Sequence, residues 1–241
     1  MGVMWNPWHG CHKISEGCKN CYMFSFDKTR KVDSNVVYKT NSFLLPIKKD
    51  KAGKYKIECG ERVSVCLTSD FFLEEADEWR KEVWVMIKQR SKVNFSLFTK
   101  RVERIEKCLP ADWGDGYDNV SINLTCENQK RAEQRLPMFL DITCKHRIVL
   151  VSPMLEMVDL SKYLLTGKIE LVCVAGENYE NARPIHFEWV QDLSNQCKKA
   201  NVGFEFFDTG ENFYKEGKHY YIPHRLGKEQ ALKSGLNFRR E

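Results

Sequence analysis

Beyond residue 60, short apolar runs alternate with longer amphipathic segments. The runs are Val63–Thr68, Asn94–Thr99, Val120–Thr125, Arg147–Ser152, Glu170–Ala175 and Gly203–Phe207, and their starts are about 28 residues apart on average, close to the roughly 31 per unit of a (β/α)8 barrel. Within Ile148–Val151 the apolar residues are continuous instead of alternating, as in strands covered on both faces. Between runs, Trp79, Val83, Met86 and Ile87 in the segment Glu75–Gln89 recur at near-helical spacing, as do Val190, Leu193 and Cys197 in Phe187–Ala200, so both read as crossover helices. With a first strand at Val3–Trp5, the pattern predicts an α/β chain with six to seven parallel strands. A partial (β/α) TIM-like barrel and a doubly wound open sheet share this alternation.

Two stretches depart from it. Asp33–Gly60 is Lys-rich and carries Pro46 and Gly53, so it reads as an irregular insertion near 33–60. The extension near 211–241 interleaves Lys218, Arg225, Lys228, Lys233, Arg239 and Arg240 with His219, Tyr220, Tyr221 and His224. Such a segment can stack on nucleobases and neutralise phosphates, or it can be a solvated helix around Lys228–Ser234 packed on the barrel through Ala231 and Leu232.

Composition narrows the class. Of 241 residues, 42% are hydrophobic and 29% charged, enough to bury one core over 1–241 and too apolar for a disordered or collagen-like chain. The net charge of +5 permits an anionic partner without demanding one. No apolar run approaches the roughly 18 residues of a membrane helix, and the N-terminal segment has no secretion-signal pattern. The protein reads as cytoplasmic, with no membrane partner.

The ten cysteines then fall in a reducing compartment, where clustered thiols indicate metal or catalysis. Cys59, Cys66, Cys108, Cys126, Cys144, Cys173 and Cys197 are scattered and read as small core hydrophobes. Cys11, Cys18 and Cys21 lie on one loop after the first strand, spaced C-x6-C-x2-C. Three thiolates are one short of a closed structural site, leaving an open position on a metal centre. Gly10 and Gly17 would let the loop turn around an iron–sulfur cluster and aim N–H groups at its sulfides. The same cysteines with His9 or His12 would make a Cys3His zinc site.

The loop resembles the cluster loop of radical S-adenosylmethionine (SAM) enzymes, with a longer first spacing than their common C-x3-C-x2-C. More closely, the chain resembles a phage and prophage three-cysteine-motif family described as radical-SAM-like, through Trp5-Asn6-Pro7, the three cysteines, Thr99-Lys100-Arg101, Glu127-Asn128-Gln129, Gly176-Glu177 and Ala182-Arg183-Pro184. The resemblance implies a partial barrel, a [4Fe–4S] cluster on Cys11, Cys18 and Cys21, and SAM on the fourth iron. It implies an enzyme that cleaves SAM reductively to a 5′-deoxyadenosyl radical for hydrogen abstraction, supplied by a flavodoxin- or ferredoxin-type electron donor, with nucleic acid as one possible substrate. By analogy with the strand order of such barrels, Ser69 and Asp70 would take the SAM amino group and Lys100 its carboxylate, Glu127 or Asn128 the ribose, Gly176 would let backbone approach the adenine closely, and Glu177 would join the cofactor-binding residues. Lys100 and Glu127 would then make polar contacts instead of core packing. Read structurally, Asp70 and Glu75 are N-terminal charges on the following helix, Lys100 and Arg101 a solvated pair and Glu127-Asn128 a helix start, while Arg183 is a loop anchor and His186 a surface residue. The rival function is a zinc-stabilised phage nucleic-acid-binding protein without catalysis, and a third is a degenerate barrel that keeps the cluster only for structure.

Overall fold

The computed structural model describes residues 2–240. Seven strands form its main sheet: β1 (Val3–Trp5), β2 (Arg62–Val65), β3 (Asn94–Thr99), β4 (Val120–Thr125), β5 (His146–Val151), β6 (Leu171–Ala175) and β7 (Gly203–Asp208). They are parallel, and neighbours in the sheet are neighbours in the chain. A helix lies in every connection: α1 (Tyr22–Arg30), α2 (Asp77–Gln89), α3 (Val102–Ile105), α4 (Gln129–Asp141), α5 (Ser161–Leu164) and α6 (Phe187–Lys199), with α7 (His224–Lys233) after the last strand. A doubly wound sheet reverses its strand order at a switch point; the unbroken sequential order here is that of a partial (β/α) barrel.

The strands form where the sequence predicts, with one early stop. The run Val63–Thr68 ends at Val65 because Cys66 adopts φ +63, which breaks the extended ladder. Conversely, α4 escapes the apolar-period reading because Pro137 sits inside it, although Ala132, Leu136, Phe139 and Leu140 bury one face.

The chain divides into two compact units. The first comprises the segment up to His12, Phe26–Asn123 and Ile142–His146. Its core is aromatic: the Trp5 ring lies 5.8 Å from Phe95, Trp8 5.6 Å from Phe71 and Phe71 5.2 Å from Trp84. In register, Val3, Met4 and Trp5 of β1 pair with Val63, Ser64 and Val65 of β2. The insertion is irregular as expected, yet tethered, since Tyr38–Lys39 pairs antiparallel with Trp8–His9.

The second unit comprises Lys13–Ser25, Leu124–Asp141 and Arg147 onward. Its core holds Leu136, Phe139, Val149, Val172, Val174, Leu193, Phe204 and Phe206. The C-terminal extension is a hairpin of Asn212–Lys215 with Lys218–Tyr221, followed by α7. The helix begins before Lys228, and its burial corrects one expectation: Ala231 is fully buried, but Leu232 is 66% exposed. Among the described residues, no helix is long and apolar enough to cross a membrane.

Candidate functional site around the three-cysteine loop

Cys11 belongs to the first unit. The chain leaving β1 is fixed before it arrives there: His9 Nε2 meets the Asp27 carboxylate at 2.9 and 3.0 Å, Ser34 Oγ donates to Asp27 at 2.8 Å, and the Cys11 N–H donates to the Ser34 carbonyl at 2.8 Å. Ser69 Oγ donates to the Gly10 carbonyl at 2.5 Å. Arg101 Nη2 donates to the His12 carbonyl at 3.0 Å, and its Nη1 lies 3.8 Å from Cys11 Sγ. The guanidinium is anchored in turn by Asp70, 2.9 Å away. Burial alone would lower the Arg101 pKa, but Asp70 and Cys11 outweigh it and hold the pKa above its usual value. His12 Nε2 pairs with Glu75.

Asp70 is thereby committed. Besides Arg101, its carboxylate accepts from Thr99 Oγ1, the Phe72 N–H and the Lys100 N–H at 2.7, 2.9 and 2.9 Å, and the residue is 4% exposed. In this structure Asp70 ties together the ends of β2 and β3, and the Ser69 hydroxyl holds the cysteine loop. Lys100 differs: its ammonium has no hydrogen-bond or ion-pair partner among the described residues.

Cys18 and Cys21 belong to the second unit. The turn Glu16–Cys18 closes with the Cys18 N–H on the Ser15 carbonyl at 2.9 Å. Four side chains grip the stretch from Glu16 to Asn20 from the C-terminal side of β4 and β6. Glu127, with no exposed surface, accepts the Gly17 N–H on Oε1 at 3.0 Å and Arg135 Nη1 on Oε2 at 2.7 Å. Arg131 forks onto the Glu16 carboxylate at 2.8 and 3.1 Å. Arg183 donates to the Glu16 carbonyl at 3.0 Å. Glu177 accepts from Asn20 Nδ2 at 3.1 Å, and from the Arg183 N–H and Nε at 2.9 and 2.8 Å.

These contacts show what each of the expected site residues touches within the protein. Glu127 is a buried ion-pair member. The Gly17 N–H is spent on Glu127, and a Cβ at Gly17 would sit 3.0 Å from Oε1. Asn128 caps α4, accepting the Arg131 N–H at 2.9 Å. What approaches Gly176 closely is the protein itself, since a Cβ there would lie 2.4 Å from the Thr209 carbonyl oxygen. Arg183 is the loop anchor the sequence suggested. His186 is half-buried and stacks between Trp189 and Tyr214 at 4.3 and 4.9 Å. No local sequence pattern marks Arg131, Arg135 or Asn20; the i, i+4 spacing of the two arginines puts them on one face only because α4 is a helix.

Of the scattered cysteines, Cys66, Cys126, Cys144, Cys173 and Cys197 are buried as expected. Burial pushes the Cys66 and Cys173 thiols well up and Cys197 to about 12. Cys59 is exposed, and Cys108 is half-buried with Arg80 at 3.3 Å and Arg104 at 3.7 Å; these two are not core residues. Among the described residues, no group of three or more His, Cys, Asp or Glu side chains is arranged to hold a metal ion.

Neither the curated proteins nor the solved structures contain a match to the chain. A family model of proteins of unknown function matches residues 1–234, and the chain belongs to this family, DUF5131.

Proposed function

We propose that the protein is a radical-SAM-type iron–sulfur enzyme in which Cys11, Cys18 and Cys21 hold a [4Fe–4S] cluster and SAM binds beside it. The observation that carries the reading is that polar side chains after the strands, Ser69, Arg101, Glu127, Glu177 and Arg183, are directed to the backbone and side chains of the loop bearing the three thiols. A fold that spends buried charge on holding three cysteines treats them as ligands, and the donor set suits a thiophilic iron centre. When bound, such a cluster supplies the electron for reductive cleavage of SAM, received from a flavodoxin- or ferredoxin-type donor. Arg101 places a cation 3.8 Å from Cys11 Sγ. Lys100, with an uncommitted ammonium, suits the SAM carboxylate. Asp70, Glu127 and Glu177 serve the loop.

Nucleic acid is the substrate class the surface of the second unit favours. Its hairpin exposes His219, Tyr220 and Tyr221 beside Lys215 and Lys218, and ring stacking with nearby cations is how single strands are held.

Anaerobically reconstituted protein should be brown, hold about four iron per chain, and release 5′-deoxyadenosine from SAM with dithionite. Cys11→Ala, Cys18→Ala or Cys21→Ala should each abolish the colour, whereas Cys197→Ala should retain it. A colourless protein that takes up zinc overturns the reading in favour of the zinc-stabilised nucleic-acid-binding protein. Iron without SAM cleavage leaves a structural cluster.

A further inference from the structure

We propose that Glu127 is the positioning residue of the cysteine loop: its buried carboxylate, charged against Arg135, sets Cys18 by holding the N–H of Gly17. The inference rests on the proposed role of Cys18 as a ligand and deepens it, because it assigns Glu127 to the protein's own loop instead of to the cofactor.

Three features converge on this carboxylate. It is wholly buried and carries a charge, an arrangement costly enough that an apolar pair of similar volume commonly serves stability as well or better. Its two oxygens face different tasks, one to the Arg135 guanidinium of α4 and the other to a backbone N–H 110 positions earlier. Arg135 also donates to the Thr125 carbonyl at 2.7 Å, which ties the pair to the end of β4. The direction of the carboxylate is therefore set before the loop is met. The loop approaches closely in turn: the Gly17 nitrogen lies 3.0 Å from the oxygen, and a Cβ at Gly17 would press against the carboxyl at 3.0 Å. The neighbouring contacts of Glu16 with Arg131 and of Asn20 with Glu177 hold the ends of the same five-residue stretch, while Glu127 holds the residue next to the thiol. Removing the carboxylate frees the N–H of the residue that directly precedes Cys18.

The test uses metal-free reduced full-length protein and iodoacetamide, with alkylation followed at each cysteine by mass spectrometry. Cys18 is 8% exposed and should react slowly in the wild type. Glu127→Ala should raise its rate at least tenfold while Cys173 and Cys197 stay unreactive. Glu127→Gln, which keeps an acceptor for Gly17, should return the rate toward wild type. If Glu127→Ala also exposes Cys173 and Cys197, Gly17→Ala decides, because it retains both members of the Glu127–Arg135 pair while its Cβ crowds the contact between Gly17 and the carboxyl; the same selective increase at Cys18 is expected. An unchanged Cys18 rate in Gly17→Ala, or in a folded Glu127→Ala, overturns the proposal. In the reconstituted protein the selective variants should also show an altered visible cluster spectrum; an unaltered one overturns the positioning of a ligand. A wild type that binds no iron defeats the functional reading alone and leaves the alkylation result standing.

Discussion

Arg101 sits 2.9 Å from Asp70 with both side chains at least nine-tenths buried, and the same guanidinium reaches Cys11 Sγ and the His12 carbonyl. One ion pair therefore joins the ends of two strands to the first cysteine. Breaking a buried pair by deleting one partner costs about 3–5 kcal/mol, because the other charge is left uncompensated. Asp70→Ala should lower the unfolding free energy by about that much, read from urea denaturation with the slope unchanged. A loss below about 1 kcal/mol would show that water or another cation replaces the partner.

Glu16 links pH to the hold on Cys18. The Arg131 hydrogen bonds lower its carboxyl to about 2 from an ordinary value near 4.5. A carboxyl depressed in the folded state stabilises it above the unfolded pKa, and that contribution is lost as pH falls through the folded value. Wild type should thus be more stable than Glu16→Gln at pH 7, and the gap should close between about pH 4.5 and 2. Glu16 is partly solvated, so the gap will be modest. A gap that widens on acidification contradicts the ion pair.

The scattered cysteines should sort by burial. In native metal-free protein at pH 8, Cys59 should be alkylated readily and Cys66, Cys173 and Cys197 should resist, since the thiolate is the nucleophile and burial holds these thiols protonated. Rapid modification of Cys197 in folded protein would show that α6 opens locally.

Lys100→Ala should leave fold and iron content intact and weaken SAM binding. Loss of a charge-assisted hydrogen bond of about 1.5–3 kcal/mol corresponds to roughly tenfold or more in dissociation constant. Wild-type affinity in calorimetric titration would remove Lys100 from the SAM site.

Gly176→Ala should destabilise by about 1–3 kcal/mol, the usual cost of overpacking, because its Cβ would meet the Thr209 carbonyl and Ile185 Cγ2. The prediction is checked by thermal unfolding in the absence of SAM. Unchanged stability would mean that the end of β6 can shift to admit the methyl.

The strands and their parallel α/β class are legible in the amino-acid sequence, because a strand buried on both faces shows as a continuous apolar run and its period is local. The sequence also marks the three cysteines, whose spacing lies within eleven residues, and the strand ends on which polar residues collect. Tertiary structure alone decided what those residues touch. Gly17 and Glu127 are 110 positions apart, and Asn20 and Glu177 are 157 apart; no local pattern relates them. A carboxylate at a strand end has the same sequence signature whether it faces a ligand or an arginine of its own chain, and the choice rests on which backbone groups the sequential sheet order brings within 3 Å of it.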